Sequence, residues 1–261
     1  GLYGTQEVNY NSIWNFLNGI NSSSKHSYGY LTEGTNFLYF GTEEDNGIYK
    51  TAVETRNSSG DAFTVVLNSF GDADSMIGDM IKVEGGYIAF GTVFSKNLSN
   101  PKITNYKPLL IFFDSGLNVS THVIYEDSVL DSKITSSNDL NGSYHLEQLN
   151  SGNIAMYAHG ELIIANANGT RISSSYFEGT KNNQAMLSLG DSFVISTDTN
   201  LRKFDANGSQ IKELNYPGNY LPEILNLNGN LFFIAGYDMG GEVKLLYGST
   251  DTDLNPINLN D

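Results

Sequence analysis

Three ionisable residues occupy comparable places in the sequence and could share acid–base chemistry. Asp79, His145 and Glu223 each occur at the start of a short segment that we predict to be the innermost strand of a repeated sheet. If these strands surround one axis, the three side chains face the mouth of a common channel, where one group can donate a proton and another accept it. Acidic residues at strand starts are also commonplace, so a structural role is the alternative.

A second set of polar residues falls in predicted loops on one face of the fold. These loops join second to third strands or one repeat to the next, and surface loops often carry function. The candidate binding residues are Glu43, Glu44, Asp45, Asp72, Asp74, His159, Asp198, Tyr237 and Asp238, with the loop at 95–107 beside them. Closely spaced carboxylates raise the local negative potential. The pattern indicates a site for a cation, a basic partner or a sugar, and solvated surface acids are the alternative.

The sequence offers little for metal or cofactor chemistry. It contains no cysteine, and its four histidines are scattered without the spacing of metal ligands. Asp251-x-Asp253-x-Asn255 resembles the opening of a calcium-binding loop, but Pro256 stands where that loop requires glycine. No phosphate-binding loop, dinucleotide fingerprint or nucleophile elbow occurs. We therefore predict no cofactor and no metal.

The balance of charge limits the classes of partner. The 261 residues include 29 acidic and 14 basic side chains, which gives a formal charge of −15 at pH 7. A chain of this charge repels a phosphate backbone, and no basic run stands out, so nucleic acid is excluded as a partner. No apolar run approaches the roughly 18 residues of a membrane-spanning helix, so we do not expect the chain to span a membrane.

A strand-and-turn unit recurs five times along the chain. Each copy opens with a polar, glycine-containing turn, at 33–35, 84–86, 150–152, 189–191 and 227–229. An apolar segment follows each turn at once, at 37–40, 87–90, 154–157, 193–195 and 231–234. A further strand precedes each turn. A fixed order of this kind, with a period near 40 to 50 residues, is typical of repeat architectures built from sheets.

The central segment of each copy is a continuous apolar run rather than an alternation. Such a run predicts a strand covered on both faces, as in a sheet packed between two similar sheets. In each copy one more strand follows the central strand, and a second turn follows that strand. These second turns fall at 57–60, 113–118, 165–169, 204–209 and, less clearly, 248–251. The stretches 95–107 and 127–143 are polar and turn-rich, and we predict them to be extended loops.

The order of these motifs resembles bacterial β-propeller repeats with glycines, an apolar run, Gly-Thr and then Phe-Asp. The clearest copy is Gly85-Gly86-Tyr87-Ile88-Ala89-Phe90-Gly91-Thr92, with Phe113-Asp114 after it. The resemblance implies an all-β fold, a β-propeller of about five four-stranded antiparallel blades. It is specific for the fold and nearly silent on function, because propellers include both binding proteins and enzymes.

The first 26 residues differ from the repeats. Ser12 could cap a short helix with Ile13, Phe16, Leu17 and Ile20 on one face. A helix that covers one end of the propeller, a helix that binds a partner, and a strand at residues 7–10 that helps to close the ring are three alternatives. We therefore expect an N-terminal segment at 1–26 and a propeller domain at 27–261.

The sequence favours a non-enzymatic binding scaffold for a protein or glycan partner. Few lysines, many Asn, Ser, Thr, Tyr and Gly, and the excess of acids are common in exported β proteins, so we expect an extracytoplasmic location, free or lipid-anchored. The alternative is a glycoside hydrolase. Five-bladed propeller glycosidases place carboxylates around the central channel for acid–base chemistry, and on this alternative Asp79 and Glu223 would take that role, with His145 comparably placed on a third strand. The His-Asp-Pro opening motif familiar in such enzymes is missing here.

Overall fold

The computed structural model describes residues 25–96, 102–135, 144–177, 185–197, 200–215, 220–238 and 243–257. Within these ranges the chain forms five antiparallel sheets, four with four strands and one with three. Neighbouring strands in every sheet are consecutive in the chain, so each sheet is a simple meander, called here blades 1 to 5. The predictions for residues 1–24, including the helix at Ser12, lie outside the described residues.

The strands follow one another in five groups. Blade 1 contains β1 (Lys25–Glu33), β2 (Asn36–Asp45), β3 (Ile48–Arg56) and β4 (Ala62–Asn68). Blade 2 contains β5 (Asp74–Val83), β6 (Gly86–Lys96), β7 (Ile103–Asp114) and β8 (Val119–Ile124). Blade 3 contains β9 (Tyr144–Gln148), β10 (Ile154–Ala158), β11 (Glu161–Ala165) and β12 (Arg171–Tyr176). Blade 4 contains β13 (Met186–Ser188), β14 (Ser192–Ser196), β15 (Asn200–Asp205) and β16 (Gln210–Asn215), and blade 5 contains β17 (Tyr220–Leu227), β18 (Asn230–Asp238) and β19 (Val243–Asp251).

The second strands of blades 2, 3 and 4 are covered on both faces, as their apolar sequences predict. In β10 every residue is buried, and in β6 burial extends over the first nine residues. In β2 the burial alternates instead, because Leu38 and Phe40 face blade 2 while Phe37 and Tyr39 are half-buried. The first strands of successive blades pack beside one another, β1 by β5, β5 by β9, β9 by β13 and β13 by β17.

Four apolar clusters join the blades in pairs. One spans blades 1 and 2, the next blades 2 and 3, the third blades 3 and 4, and the fourth blades 4 and 5. Burial of apolar side chains between two sheets supplies the main stabilisation of such a fold. We call each such boundary a seam and number it by its two blades.

The turn that follows the third strand has one conformation in all five blades. Its first residue is Asn57, Asp114, Asn166, Asp205 or Asp251, and in each case the side-chain oxygen accepts hydrogen bonds from the N–H groups two and four residues later. In blade 4, for example, Asp205 Oδ1 accepts from Asn207 N at 2.9 Å and from Ser209 N at 2.8 Å. These bonds explain why the repeat requires Asp or Asn at this position.

One predicted turn is wrong. Residues 248–251, proposed as the second turn of the fifth copy, lie within β19. The turn comes next, from Asp251 to Asn255, and it contains the pattern that resembled a calcium loop. Asp251 uses its carboxylate to accept from the N–H groups of Asp253 and Asn255, at 2.9 and 2.8 Å. Leu254 replaces the usual glycine in the left-handed conformation, with φ 58°, which obscured the motif in the sequence.

In blades 2 to 5 this turn also reaches the preceding blade. Leu117 and Leu254, at the left-handed position of their turns, are buried in the apolar clusters of seams 1/2 and 4/5. In blade 3 the same position is Gly169, where a Cβ would lie 2.8 Å from Val123 Cγ2 of blade 2. The space that the preceding blade leaves at this position therefore determines whether leucine or glycine fits.

The stretches predicted as extended loops in blade 2 contain regular structure. Residues 95, 96 and 103–107 belong to β6 and β7, which are longer than their counterparts in other blades. The second stretch includes a 3₁₀ helix at Val129–Ser132, and Ile103 N donates to Thr135 O at 2.9 Å. Tyr106, Leu130 and Ile134 are buried together there, so apolar side chains dispersed among polar ones fold both stretches onto the blade. Within the described ranges no helix has the length and apolar character needed to cross a membrane.

Candidate functional site

Asp79 lies in the middle of β5 rather than at its start, and it contacts the next blade. Its Oδ2 accepts from Leu146 N of β9 at 2.8 Å, and its Oδ1 accepts from Met80 N at 2.8 Å. The pairing of β5 with β6 shifts between Ile77 and Asp79, which is a bulge at Gly78. A Cβ on Gly78 would lie 2.2 Å from Tyr144 Cγ, so only glycine allows the two first strands to approach this closely.

Burial gives the Asp79 carboxyl group an unusual affinity for its proton. The group is desolvated between two first strands, which raises its pKa from 3.8 to about 7, although the two N–H donors oppose the shift. The negative charge of Glu147 adds to the increase. A carboxyl group that is partly protonated near neutral pH can act as either acid or base.

Glu147 repeats the arrangement at the next seam. It lies on β9, half-buried, and accepts from the backbone N–H of Ser188 on β13. Burial again raises the pKa of this carboxyl group. The first strands of blades 2, 3 and 4 are thus linked in series. The carboxyl groups of Asp79 and Glu147 each accept a hydrogen bond from a backbone N–H of the following blade. The sequence prediction did not include Glu147, because no motif marks it.

The other two residues of the predicted channel set are only partly located. His145 is the second residue of β9, is half-buried, and lies opposite Tyr157 of β10. The backbone of Glu223 lies in β17 opposite Ile234, while its side chain is outside the described part of the chain. The structure therefore brings Asp79 beside the strand that carries His145, and it does not test the participation of Glu223.

The predicted binding face contains exposed acids at the turn between β2 and β3. Glu44 is exposed, Glu43 is half-buried, and Asp45 forms an ion pair with Lys50 at 2.5 Å. Asp72, in the connection between blades 1 and 2, is also exposed. Because all strands are antiparallel, this connection and the β2–β3 turn lie at the same end of their blades. We call this end the acidic rim, defined by Glu43, Glu44, Asp45 and Asp72.

Asp74 belongs to seam 1/2 and not to the exposed rim. It is 8% exposed, and its two oxygens accept from Tyr49 N at 2.8 Å and from Lys96 N at 3.1 Å. Tyr49 is the second residue of β3 in blade 1, and Lys96 ends β6 of blade 2. Asp74 therefore fastens one blade to the next, and its oxygens are already occupied.

His159 is buried as well, although the sequence placed it in a surface loop. It adopts the left-handed conformation in the β10–β11 turn, with φ 51°, and is 7% exposed. Its Nε2 lies 3.2 Å from Tyr144 Oη, which lies 3.1 Å from Tyr106 Oη. Both tyrosine rings meet the imidazole edge-on. The three side chains form a polar network inside seam 2/3.

Glu161 adds a further carboxyl group close to this network. It is 4% exposed, and it accepts from Ser128 Oγ at 2.5 Å and from the backbone N–H of Val129. Burial raises its pKa despite these donors and the nearby Arg171, which is paired with Asp127. Its position at the start of an apolar strand gave no signal in the sequence.

The remaining predicted binding residues are not tested. Asp198 lies outside the described residues, and Tyr237 and Asp238 end β18 with side chains that are not described. Among the described residues there is no group of three or more His, Asp or Glu that could hold a metal ion. The described geometry thus separates groups that join two blades from the acidic rim.

The comparisons with known proteins identify the fold alone. The WD40 domain of Neurospora crassa Pan2 superposes with a TM-score of 0.56 and 8% identity, over 89% of this chain and 64% of that domain. The chain is a β-propeller. A Bacteroides caccae protein of unknown function matches this propeller with a TM-score of 0.51 and 12% identity, over 87% of the chain and 78% of the other. The sequence matches no known family model and no curated protein.

Proposed function

We propose that the propeller is a non-enzymatic scaffold that binds a protein or glycan partner through the acidic rim. One observation supports this most: the described candidate residues divide by their contacts. Asp74, Asp79 and His159 make hydrogen bonds inside seams 1/2 and 2/3, whereas Glu44 and Asp72 project into solvent at one end of the blades. Exposed charges that serve no internal contact are available for a partner.

The rim chemistry favours a partner surface that carries positive charge or many hydroxyl groups. Carboxylates accept hydrogen bonds from lysine and arginine side chains and from sugar hydroxyls. Steering by exposed charges weakens with salt, since the Debye length falls from about 10 Å at 0.1 M to about 3 Å at 1 M. Binding to a basic protein is therefore expected to weaken as salt is added, and binding to a neutral glycan is not.

The test compares two double variants that each remove two exposed charges. Glu44→Gln with Asp72→Asn neutralises the rim, and Asp61→Asn with Glu84→Gln neutralises the opposite ends of the blades. Wild type and both variants are applied to a glycan array and to immobilised proteins of the parent cell. We expect the rim variant to lose at least one wild-type interaction that the control retains. Equal retention by both variants would contradict the proposal.

A glycoside hydrolase is the second candidate, favoured by the pKa of Asp79 near 7. A carboxyl group in this range is suited to donate a proton to a leaving oxygen. Against this role, both oxygens of Asp79 accept backbone N–H groups. Hydrolysis of a panel of chromogenic glycosides by wild type, and its loss in Asp79→Asn but not in the rim variant, would favour the enzyme. No hydrolysis by wild type would exclude it for those substrates.

We also propose that the protein is extracytoplasmic, free or lipid-anchored, and that its repeats are of the bacterial type. The composition supports the location, since the chain combines 29 acidic side chains with only 14 basic ones. The Gly-Gly, apolar run, Gly-Thr order in β6 supports the repeat type. Fractionation of the parent cell, with the protein recovered in the cytoplasm, would contradict this location.

A further inference from the structure

Blade 1 has an apolar surface on the side that faces away from blade 2. Residues that pair across neighbouring antiparallel strands share one face of the sheet. One row across the four strands of blade 1 consists of Tyr30, Tyr39, Glu54 and Val65, and Phe37 lies beside it on β2. Tyr30 is 58% exposed and Val65 is 45% exposed. We call this surface the aromatic face, defined by Tyr30, Phe37, Tyr39 and Val65.

The two faces of blade 1 differ in what covers them. On the opposite face, Leu38 and Val53 are buried in the apolar cluster of seam 1/2. On the aromatic face the rings of Tyr30, Phe37 and Tyr39 contact one another, with centroids 5.7–6.3 Å apart. Among the described residues, no apolar cluster joins this face to another blade. Contiguous apolar surface that water reaches marks a place where another segment or molecule packs.

Two charged residues of this face neutralise each other. Glu54 is 8% exposed, and its carboxylate forms an ion pair with Arg56 at 2.5 Å. Arg56 pairs with Phe37 in the sheet, and its guanidinium also donates to Gly60 O at 3.0 Å. A charged partner would have to disturb this pair, whereas an uncharged one would not. The aromatic face therefore fits an apolar, uncharged occupant.

We propose that residues 13–20 of this chain dock on the aromatic face and cover it. Residues 1–24, which lie outside the described residues, directly precede β1 and contain a single charged side chain, Glu7, whereas 16% of the whole chain is charged. The spacing that places apolar side chains on one side of a helix recurs at Ile13, Phe16, Leu17 and Ile20. An uncharged segment with an apolar side thus adjoins an apolar face whose charges are paired.

The connection to β1 is long enough for this contact. Tyr30 is five residues along β1 from Lys25, which is about 17 Å at the rise of a strand. The four polar residues 21–24 can span about 13 Å when extended, and eight helical residues span about 12 Å. The segment can therefore fold back over β1 and reach Tyr30. Because it is tethered, its effective concentration at the face is on the order of millimolar, which favours it over a second copy of the chain.

The experiment uses the fluorescence of Trp14, the only tryptophan of the chain, together with hydrogen exchange of the backbone amides at 13–20. In the wild type, Trp14 should be shielded from the quencher acrylamide, and these amides should be protected. The variant Tyr30→Ser with Val65→Ser should speed their exchange about tenfold or more, because full burial of one apolar side chain stabilises docking by at least that factor. Quenching of Trp14 should rise in the same variant.

The matched control is Ile172→Ser with Ile211→Ser, which removes side chains of similar exposure, 45% and 57%, from blades 3 and 4. It should change neither measurement. Three results would overturn the proposal. They are quenching of Trp14 in the wild type as strong as that of free tryptophan, equal exchange rates in the wild type and the Tyr30 and Val65 variant, and shielding of Trp14 that grows with protein concentration. The last result would mean that the segment docks on a second copy.

If the Tyr30 and Val65 variant does not fold, chemical cross-linking decides. The chain contains no cysteine, so Leu17→Cys with Val65→Cys presents one pair of thiols to a short bifunctional maleimide. A cross-link within one molecule that forms in this variant, and not in Leu17→Cys with Ile172→Cys, supports the proposal. Equal yields in the two variants, or cross-links mainly between molecules, overturn it.

Discussion

Replacement of Asp74 tests whether this acid fastens blades 1 and 2 or belongs to a binding surface. Its carboxylate accepts from Tyr49 N at 2.8 Å and from Lys96 N at 3.1 Å, and the residue is 8% exposed. Alanine leaves both N–H groups without these acceptors. An unsatisfied buried donor costs about 1–3 kcal/mol, so we expect Asp74→Ala to lower the free energy of unfolding by about 2–4 kcal/mol. Asparagine keeps one strong acceptor and should cost about half as much.

The assay is urea unfolding followed by circular dichroism, with Asp72→Ala as the matched control two residues away. Asp72 is exposed, and surface substitutions usually change stability by less than about 0.5 kcal/mol. A loss below about 0.5 kcal/mol for Asp74→Ala, or equal losses for both variants, would refute the assignment of Asp74 to seam 1/2.

Three further substitutions test the seams and turns by the same unfolding assay. Gly78→Ala should destabilise by about 1–3 kcal/mol, because the new Cβ would lie 2.2 Å from Tyr144 Cγ; an unchanged midpoint would contradict the close approach of β5 and β9. Leu117→Ala should cost about 2–4 kcal/mol, since this turn residue fills the apolar cluster of seam 1/2; a neutral effect would mean that the turn does not pack there. Asp205→Ala should cost about 1–2 kcal/mol through loss of its two turn bonds, whereas Asp205→Asn should retain most of the stability.

The repeated sheets were predictable from the sequence because their signals are local. Apolar runs and glycine turns depend on neighbouring residues alone, so the central strands and all five first turns are confirmed. The sequence did not indicate the second turn of the fifth copy, at Asp251–Asn255, because that turn depends on a tertiary contact. Leu254 tolerates the left-handed conformation there because its side chain is buried against blade 4, and a contact of this kind has no local signature.

The candidate site was harder to predict because burial across a seam is not a local property. Asp74 and His159 are polar residues next to turns, which indicates exposure, yet the adjoining blade covers both. Glu147 and Glu161 precede or follow apolar residues and match no motif, although their hydrogen bonds join blade 3 to its surroundings. Only the three-dimensional arrangement of the blades separates these acids from the exposed rim.

The claim that carboxyl groups join successive blades is tested most directly at the backbone N–H of Leu146. This N–H donates to Asp79 Oδ2 of the neighbouring blade at 2.8 Å. Its hydrogen exchange, measured residue by residue by NMR, should be slow in the wild type and at least about tenfold faster in Asp79→Ala, with the amide of Ile163 in β11 unchanged. Rapid exchange of Leu146 in the wild type, or the same slow rate in both proteins, would contradict the account.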